Sequence, residues 1–313
     1  MLPSILLGLP IAARLRERLA TTYEVHGPFS PVTPEGVPEA ARKARVLVTI
    51  GGNRTDKAMM DALPELGMIA CYGTGFEGVD MAEAARRGII VTHAKDANAT
   101  SVAEFAMGLV IAASRDMGKG ERALRAGKWR SLDSLGLVPG LAGNRMGVYG
   151  LGSIGAKIAS RAAAFEMEVG YHGRGPKAGV PYVYHPTLKG MAEWCDVLVV
   201  AVRASAETRH AVNAEVLAAL GRKGVVVNIA RGSVIDEAAL IEALEQGVIH
   251  GAGLDVFEHE PAVPERLLAV PNAVLTPHIA AFTTLAQRVQ QKLVEESLAA
   301  FFAGETPANL VAA

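Results

Sequence analysis

Short apolar runs alternate along the chain with longer stretches of helical periodicity, a pattern that predicts parallel sheets wound by helices. The first runs, Ser4–Leu7, Val46–Thr49, Met68–Cys71 and Ile89–Val91, read as buried strands. A second, denser set comprises Met146–Tyr149, Glu168–Tyr171, Val197–Ala201, Val225–Ile229, Ala252–Val256 and Ala273–Leu275. Six strands separated by helix-length segments are what a complete dinucleotide-binding sheet needs. Between the sets lie a long Ala-rich helix, Ala99–Ala113, and then a basic, turn-rich passage that runs through Trp129 to Gly143. Gly27–Pro38, rich in Pro and Gly, reads as a surface connection. A last helix is predicted from Thr283 to about Phe302. It has no strand of its own to join in the second sheet, so it can return to the first domain and leave that domain discontinuous.

A length of 313 residues allows about two domains. With 31 basic and 32 acidic side chains the chain lacks the basic excess that nucleic acid or an anionic membrane would require. Mean hydropathy is +0.24, yet no apolar stretch reaches the ~18 residues of a membrane helix. Aromatic residues make up only 5%, so the core must rest on Ala, Val, Leu and Ile. Cys71 and Cys195 are too few for a disulfide framework or a cysteine-based metal site and read as small buried hydrophobes. The N-terminus shows no export signal, and a cytoplasmic protein is expected.

The candidate chemistry begins at Gly150-Leu151-Gly152-Ser153-Ile154-Gly155. A G-x-G-x-x-G alone is weak, but this one follows a predicted strand and opens a predicted helix, Ser153–Phe165, as a dinucleotide loop must. Its glycines allow a tight turn, approach to a pyrophosphate and close helix packing, and the helix N-terminus offers free N–H groups. The next strand ends in His172-Gly173-Arg174-Gly175-Pro176-Lys177, where an NAD site would carry an acid. Arg174 and Lys177 would instead attract a 2′-phosphate, which favours NADP(H), with NAD(H) as the alternative. Arg231, Glu260 and His278 each lie just beyond a different predicted strand, where side chains in such sheets converge on ligands. Singly each is a common residue type; jointly they suggest a site.

From Ala99 to Thr284 the chain resembles the D-isomer-specific 2-hydroxyacid dehydrogenases. The resemblance rests on Ser101-Val102-Ala103-Glu104, Gly150–Gly155, Asn228-Ile229-Ala230-Arg231-Gly232, Gly253–Phe257 with Glu260-Pro261, and Thr276-Pro277-His278-Ile279-Ala280. Gly73-Thr74-Gly75, with Val79-Asp80 after it, is similar to the family's substrate loop. The resemblance implies two Rossmann-like or flavodoxin-like α/β domains flanking a cleft, with NAD(P) bound by residues 98–281. The substrate domain would comprise residues 1–97 with 282–313.

In that family's mechanism Arg231 would hold the substrate carboxylate in a bidentate fork and polarise the ketone. His278 would protonate the carbonyl oxygen as hydride arrives, and Glu260 would fix the ring and favour imidazolium. The N–H groups of Gly51 and Gly75 would complete the carboxylate site. Coenzyme contacts would come from Val102, Gly150, Leu151, Gly152, Ser153, Ile154, Gly155, Gly173, Arg174, Lys177, Val202, Ile229, Ala230, Asp255 and Ala280. For Asp255 a role in stabilising its turn is the alternative. The segment Tyr171-His172-Gly173-Arg174-Gly175-Pro176-Lys177 resembles NADPH-preferring glyoxylate and hydroxypyruvate reductases, so a small 2-ketoacid would be reduced to the D-2-hydroxyacid. A nucleotide-sensing binding protein, like the corepressors built on this fold, is the second reading.

The chain departs from many relatives at Val202-Arg203 and Asn144, and at Gly52-Asn53-Arg54 and Phe76-Glu77, which would shape the substrate pocket. The family also implies a homodimer formed through Ala99–Ala113 and the arm at Trp129, although a core helix within one chain would have the same small-residue faces. His26, His185 and His210 read as surface residues. His93 is expected near the cleft, His172 and His250 show no pairing signal, and His259 is expected to point away from Glu260. No residue spacing suggests a metal site.

Overall fold

The structure is a computed structural model that describes residues 2–30, 32–131 and 136–311. It divides into two compact units, Met1–Asn98 with Thr283–Ala313, and Ala99–Phe282.

The first unit contains β1 (Ser4–Leu7), α1 (Ala13–Ala20), β2 (Glu24–His26), β3 (Val46–Thr49), α2 (Lys57–Asp61), β4 (Met68–Cys71), α3 (Met81–Arg86) and β5 (Ile90–His93). All strands pair in parallel, in the order β2-β1-β3-β4-β5. Successive residues of each strand feed opposite cores. Leu6, Leu47, Ile69 and Cys71 point to one face, and Ile5, Leu7, Val46, Val48, Met68 and Ala70 to the other. Burial on both faces explains why these strands read as unbroken apolar runs.

The edge strand β2 differs from the sequence reading. Its three residues, Glu-Val-His, carry no apolar run, and only pairing with β1 defines them as a strand. His26 is therefore not a free surface residue: its Nε2 lies 3.0 Å from Ser4 Oγ.

The second unit contains α4 (Ala99–Ser114), α5 (Met117–Arg125), β6 (Arg145–Tyr149), α6 (Ser153–Ala164), β7 (Glu168–His172), β8 (Val183–Tyr184) and α7 (Leu188–Trp194). It continues through β9 (Val197–Val200), α8 (Ala214–Leu220), β10 (Val225–Asn228), α9 (Glu237–Glu245), β11 (Gly251–Leu254), α10 (Glu265–Ala269) and β12 (Ala273–Leu275). Its seven strands are parallel, in the order β12-β11-β10-β9-β6-β7-β8. Direction along the sheet reverses between β6 and β9, the switch point at which such sheets bind ligands. The two-residue β8 is a second edge strand without a sequence signature. Several strand ends shift by one or two residues from the apolar pattern, as frayed ends do.

Helix α4 buries most of its surface and leaves a stripe through Glu104 and Gly108 exposed. Val102, Ala103, Ala106, Leu109, Val110 and Ala113 belong to the core on one face of this sheet. A side chain at Gly253 on β11 would lie 3.0 Å from Leu109 Cβ, so glycine lets the helix lie close. The small residues of α4 thus serve close packing within the chain, on the face it turns to the sheet. Of the passage after it, residues 132–135 lie outside the described residues, and Trp129 is exposed.

Thr283 closes the boundary by capping α11 (Thr284–Phe302), its hydroxyl accepting from Ala286 N–H at 3.1 Å. Val294 and Leu298 on this helix pack with Ile5, Leu7 and Met68 in the first unit. Cys71 and Cys195 are free and buried, and burial pushes both thiols up to about 12. Both are inert hydrophobes at neutral pH. Among the described residues no helix is long and apolar enough to cross a membrane.

Candidate active site

The glycine loop lies at the switch point of the second sheet. Gly150 leaves β6 at φ +98°, and a Cβ there would come within 2.6 Å of Val202 Cα, just beyond β9. Any side chain at this position would be both strained and blocked. At Gly155 a Cβ would lie 2.0 Å from the Gly150 carbonyl oxygen, so glycine brings α6 onto the loop. Gly152 is different: no atom lies within 4 Å of its Cβ position. As N-cap it also has no side chain with which to occupy the first-turn N–H groups of α6. That open, donor-rich helix end fits the pyrophosphate of a dinucleotide. Ser153 is exposed there and Ile154 partly buried, while Leu151 is buried.

No carboxylate follows β7. The loop from Gly173 to Lys177 is instead tied down by its own residues. The Tyr171 hydroxyl accepts from Lys177 N–H at 2.7 Å, and Lys177 Nζ donates to the Leu151 carbonyl at 2.6 Å. Arg174 is exposed.

The histidines around this loop correct the sequence reading. His172 Nδ1 lies 2.8 Å from the His185 carbonyl, and the His185 ring packs 4.8 Å from Trp194. His185 is thus a partly buried residue, not a surface one. Its burial, together with the nearby His172, holds its imidazole below the usual range.

Arg231, Glu260 and His278 follow β10, β11 and β12, three neighbouring parallel strands whose C-terminal ends share one edge of the sheet. The loops are fastened to one another. A Cβ on Gly232 would lie 1.9 Å from the Phe257 carbonyl carbon, so only glycine lets the Arg231 loop lie against the segment leading to Glu260. Asn228 ends the all-valine strand β10 and is 1% exposed. Its side chain accepts from Ala230 N–H and donates to the Arg231 carbonyl, both at 3.0 Å. Arg231 Nη1 donates to the Ala230 carbonyl at 2.7 Å, which orients the guanidinium.

His278 adopts φ +53°, a left-handed conformation that costs a non-glycine residue energy and requires support. Asp255, 1% exposed, gives that support. Its carboxylate accepts from Thr276 Oγ1 at 2.7 Å and from the Ile279 and Ala280 N–H groups, both at 2.9 Å. Its backbone carbonyl accepts from His278 N–H at 2.8 Å. The alternative raised for Asp255, fixing its turn, is thus the role these contacts describe.

The imidazole of His278 meets Glu260 at 2.7 Å through Nδ1. An ionised carboxylate can only accept, so Nδ1 carries a proton and Nε2 is left for other chemistry. Burial opposes charge on Glu260. The His278 hydrogen bond, a second from Phe257 N–H, and the charges of His278 and Arg231 outweigh it and hold the carboxyl below its ordinary range. Glu260 therefore stays ionised at neutral pH.

Sequence reasoning missed a second set of contacts behind this segment. Glu258 accepts from Arg209 at 2.8 Å and pairs with His210 Nε2 at 2.7 Å, while its own N–H donates to the buried Glu237. His210 thus lies at the surface, its side chain 35% exposed, but is paired, and His250 is paired too, 3.0 Å from Asp116. Neither pairing has a local sequence signal, since the partners lie 48 and 134 residues apart. His259 is exposed. The remaining coenzyme candidates, Val102, Ile229, Ala230 and Ala280, are buried, whereas Val202 and Gly173 are partly exposed. Among the described residues no group of three or more His, Cys, Asp or Glu is placed to hold a metal.

In the first unit, Gly51 and Gly75 lie against each other. A Cβ on Gly51 would fall 1.7 Å from the Gly75 carbonyl oxygen, and Gly78 N–H donates to the Gly51 carbonyl at 2.7 Å. Among the described residues neither the Gly51 nor the Gly75 N–H is engaged by another backbone group. Two unspent donors at the end of β3 suit an anionic group. His93, on β5, supports this loop: its Nδ1 lies 2.9 Å from the Thr74 carbonyl and its ring meets Phe76 edge-on at 5.4 Å.

Comparison with known proteins agrees with this arrangement. Residues 107–280 match the sequence model described as D-isomer specific 2-hydroxyacid dehydrogenase, NAD binding domain. The glyoxylate/hydroxypyruvate reductase HPR3 of Arabidopsis thaliana is 36% identical over 304 residues, covering 96% of this chain and 94% of that protein. The 2-ketogluconate reductase of Gluconobacter oxydans is 37% identical over 304 residues, covering 97% of each. Among solved structures, the NADPH-dependent glyoxylate/hydroxypyruvate reductase of Sinorhizobium meliloti, in complex with NADP and malonate, superposes with a TM-score of 0.92. It is 41% identical and covers 100% of this chain and 97% of that one. With its glycine loop at the switch point and a histidine–carboxylate pair beyond β11 and β12, the chain belongs to the D-isomer specific 2-hydroxyacid dehydrogenases, a family of NAD(P)-dependent oxidoreductases.

Proposed function

We propose that the chain reduces a small 2-ketoacid such as glyoxylate or hydroxypyruvate to the D-2-hydroxyacid, with NADPH as the preferred coenzyme. The observation that carries the reading is the 2.7 Å contact of His278 Nδ1 with Glu260, in the unit that also presents Arg231 and the glycine loop. Arg231 takes the substrate carboxylate and draws charge toward the ketone oxygen. Glu260 fixes the ring, which leaves Nε2 to deliver a proton to that oxygen. The bound reduced nicotinamide supplies the hydride. In the first unit, the Gly51 and Gly75 N–H groups are donors of the kind that suit a carboxylate. In the opposite direction, neutral His278 accepts the hydroxyl proton.

The coenzyme preference is supported by the absence of an acid after β7, by exposed Arg174, and by the NADPH dependence of the Sinorhizobium meliloti relative. We include a homodimer in the reading. Exposed Met117, Leu124, Trp129 and Leu137, all within 117–137, support it.

The test is loss of reduced-coenzyme absorbance with glyoxylate, hydroxypyruvate and phenylpyruvate, each with NADPH and NADH. Turnover of a 2-ketoacid, faster at limiting NADPH than at limiting NADH, is expected. Tight coenzyme binding without turnover of any ketoacid would favour a nucleotide-sensing role instead.

A further inference from the structure

Lys177 sits in the basic loop after β7, where its charge invites a role as a second ligand of the 2′-phosphate. Its contacts suggest something else. The ammonium is 2.6 Å from the carbonyl oxygen of Leu151, inside the glycine loop and 26 residues away in sequence. The backbone N–H of the same residue donates to the hydroxyl of Tyr171 at 2.7 Å. Tyr171 lies on β7 and is 2% exposed, so it anchors Lys177 to the sheet from below.

We propose that Lys177 is a positioning residue: it fastens the loop after β7 to the glycine loop, and so serves the part of the coenzyme that NADPH and NADH share. The proposal rests on the NADP(H) reading only in assigning the 2′-phosphate to Arg174. The reason lies in one peptide unit. The Leu151 carbonyl and the Gly152 N–H belong to the same planar trans peptide and point in opposite directions. Holding the oxygen toward Lys177 therefore fixes the direction of that N–H. Without the hold, a peptide that leads into a glycine has more freedom to rotate than one between two residues with side chains. Gly152 is the N-cap of α6 and the open position of the loop, where a pyrophosphate would approach. A lysine that only read the 2′-phosphate would matter to NADPH alone; one that aims the Gly152 peptide matters equally to NADH.

The experiment measures dissociation constants for NADPH and NADH by fluorescence of the bound reduced coenzyme. It uses the full-length protein and Lys177→Ala, Lys177→Arg, Tyr171→Phe and Arg174→Ala, with a thermal melt of each coenzyme-free protein. Lys177→Ala is expected to weaken both coenzymes by similar factors, about five- to tenfold, the scale of one lost hydrogen bond. Lys177→Arg, which can still donate to the carbonyl, is expected to recover most of that loss for both. Tyr171→Phe should weaken both in parallel by a smaller factor, because the buried hydroxyl acts through the Lys177 N–H. Arg174→Ala should weaken NADPH far more than NADH.

Loss confined to NADPH in Lys177→Ala, or no loss at all, overturns the proposal. So does a Tyr171→Phe protein with an unchanged melt that binds both coenzymes normally. If Tyr171→Phe does not fold, the Lys177→Ala and Lys177→Arg pair decides. Equal losses of the two coenzymes in Arg174→Ala would instead sink the NADP(H) reading and leave the Lys177 result to stand or fall by itself.

Discussion

Replacing His278 with alanine is expected to lower kcat for ketoacid reduction by about 10²–10⁴-fold while the coenzyme dissociation constant changes little. The substitution removes the imidazole held against Glu260, and with it the proton source that the proposed mechanism places at Nε2. Water can enter the vacated space and donate a proton, but without a fixed position or a matched acidity, so a residual rate remains. Binding should persist because the glycine loop and α6 do not depend on the 276–280 turn, which Asp255 continues to hold through Thr276, Ile279 and Ala280. Steady-state kinetics with a fluorescence titration of NADPH checks both halves. Unaltered reduction kinetics would remove His278 from the acid role.

Arg231→Ala is expected to cost more in kcat/KM than in kcat, by about 10³-fold, or ~4 kcal/mol of transition-state stabilisation. In the proposed mechanism the guanidinium both binds the carboxylate and polarises the ketone, so its loss would weaken substrate binding and the chemical step together. Arg231→Lys should fall between wild type and Arg231→Ala. It keeps the charge but loses the planar fork that the Ala230 carbonyl orients. Near-normal turnover in Arg231→Ala would take this residue out of the site. Saturation curves against the ketoacid at fixed NADPH give the two parameters separately.

Much of the fold was readable because both sheets are buried on both faces. Each central strand then appears as an uninterrupted apolar run, and the turns that follow carry the chemistry. The exceptions are instructive. β2 and β8 are edge strands of three and two residues, and their existence depends on a neighbour's hydrogen bonds and not on any periodicity of their own. The small-residue pattern of α4 has no single reading in the sequence, and only the fold shows that Gly253 lets the Leu109 face of the helix lie close to β11.

At the site, the positions of Arg231, Glu260 and His278 beyond three strands were legible, but the groups that hold them were not. Asn228 looks like one more strand residue until its burial forces it to find two backbone partners. Asp255 reads as a coenzyme contact or a turn stabiliser, and only the fold shows its carboxylate accepting from Thr276, Ile279 and Ala280 in the turn that carries His278. The pairings of His210 with Glu258 and of His250 with Asp116 join segments far apart in the chain. Such contacts arise only from the tertiary fold, so no local pattern can announce them.

The role of Glu260 is tested most directly by a double-mutant cycle on kcat with His278→Ala, Glu260→Gln and the double variant, all saturated with NADPH. If the carboxylate acts only through the imidazole, the double variant is no slower than His278→Ala alone. Losses that multiply, with the double variant slower by the product of the two single factors, would contradict a single His278–Glu260 unit.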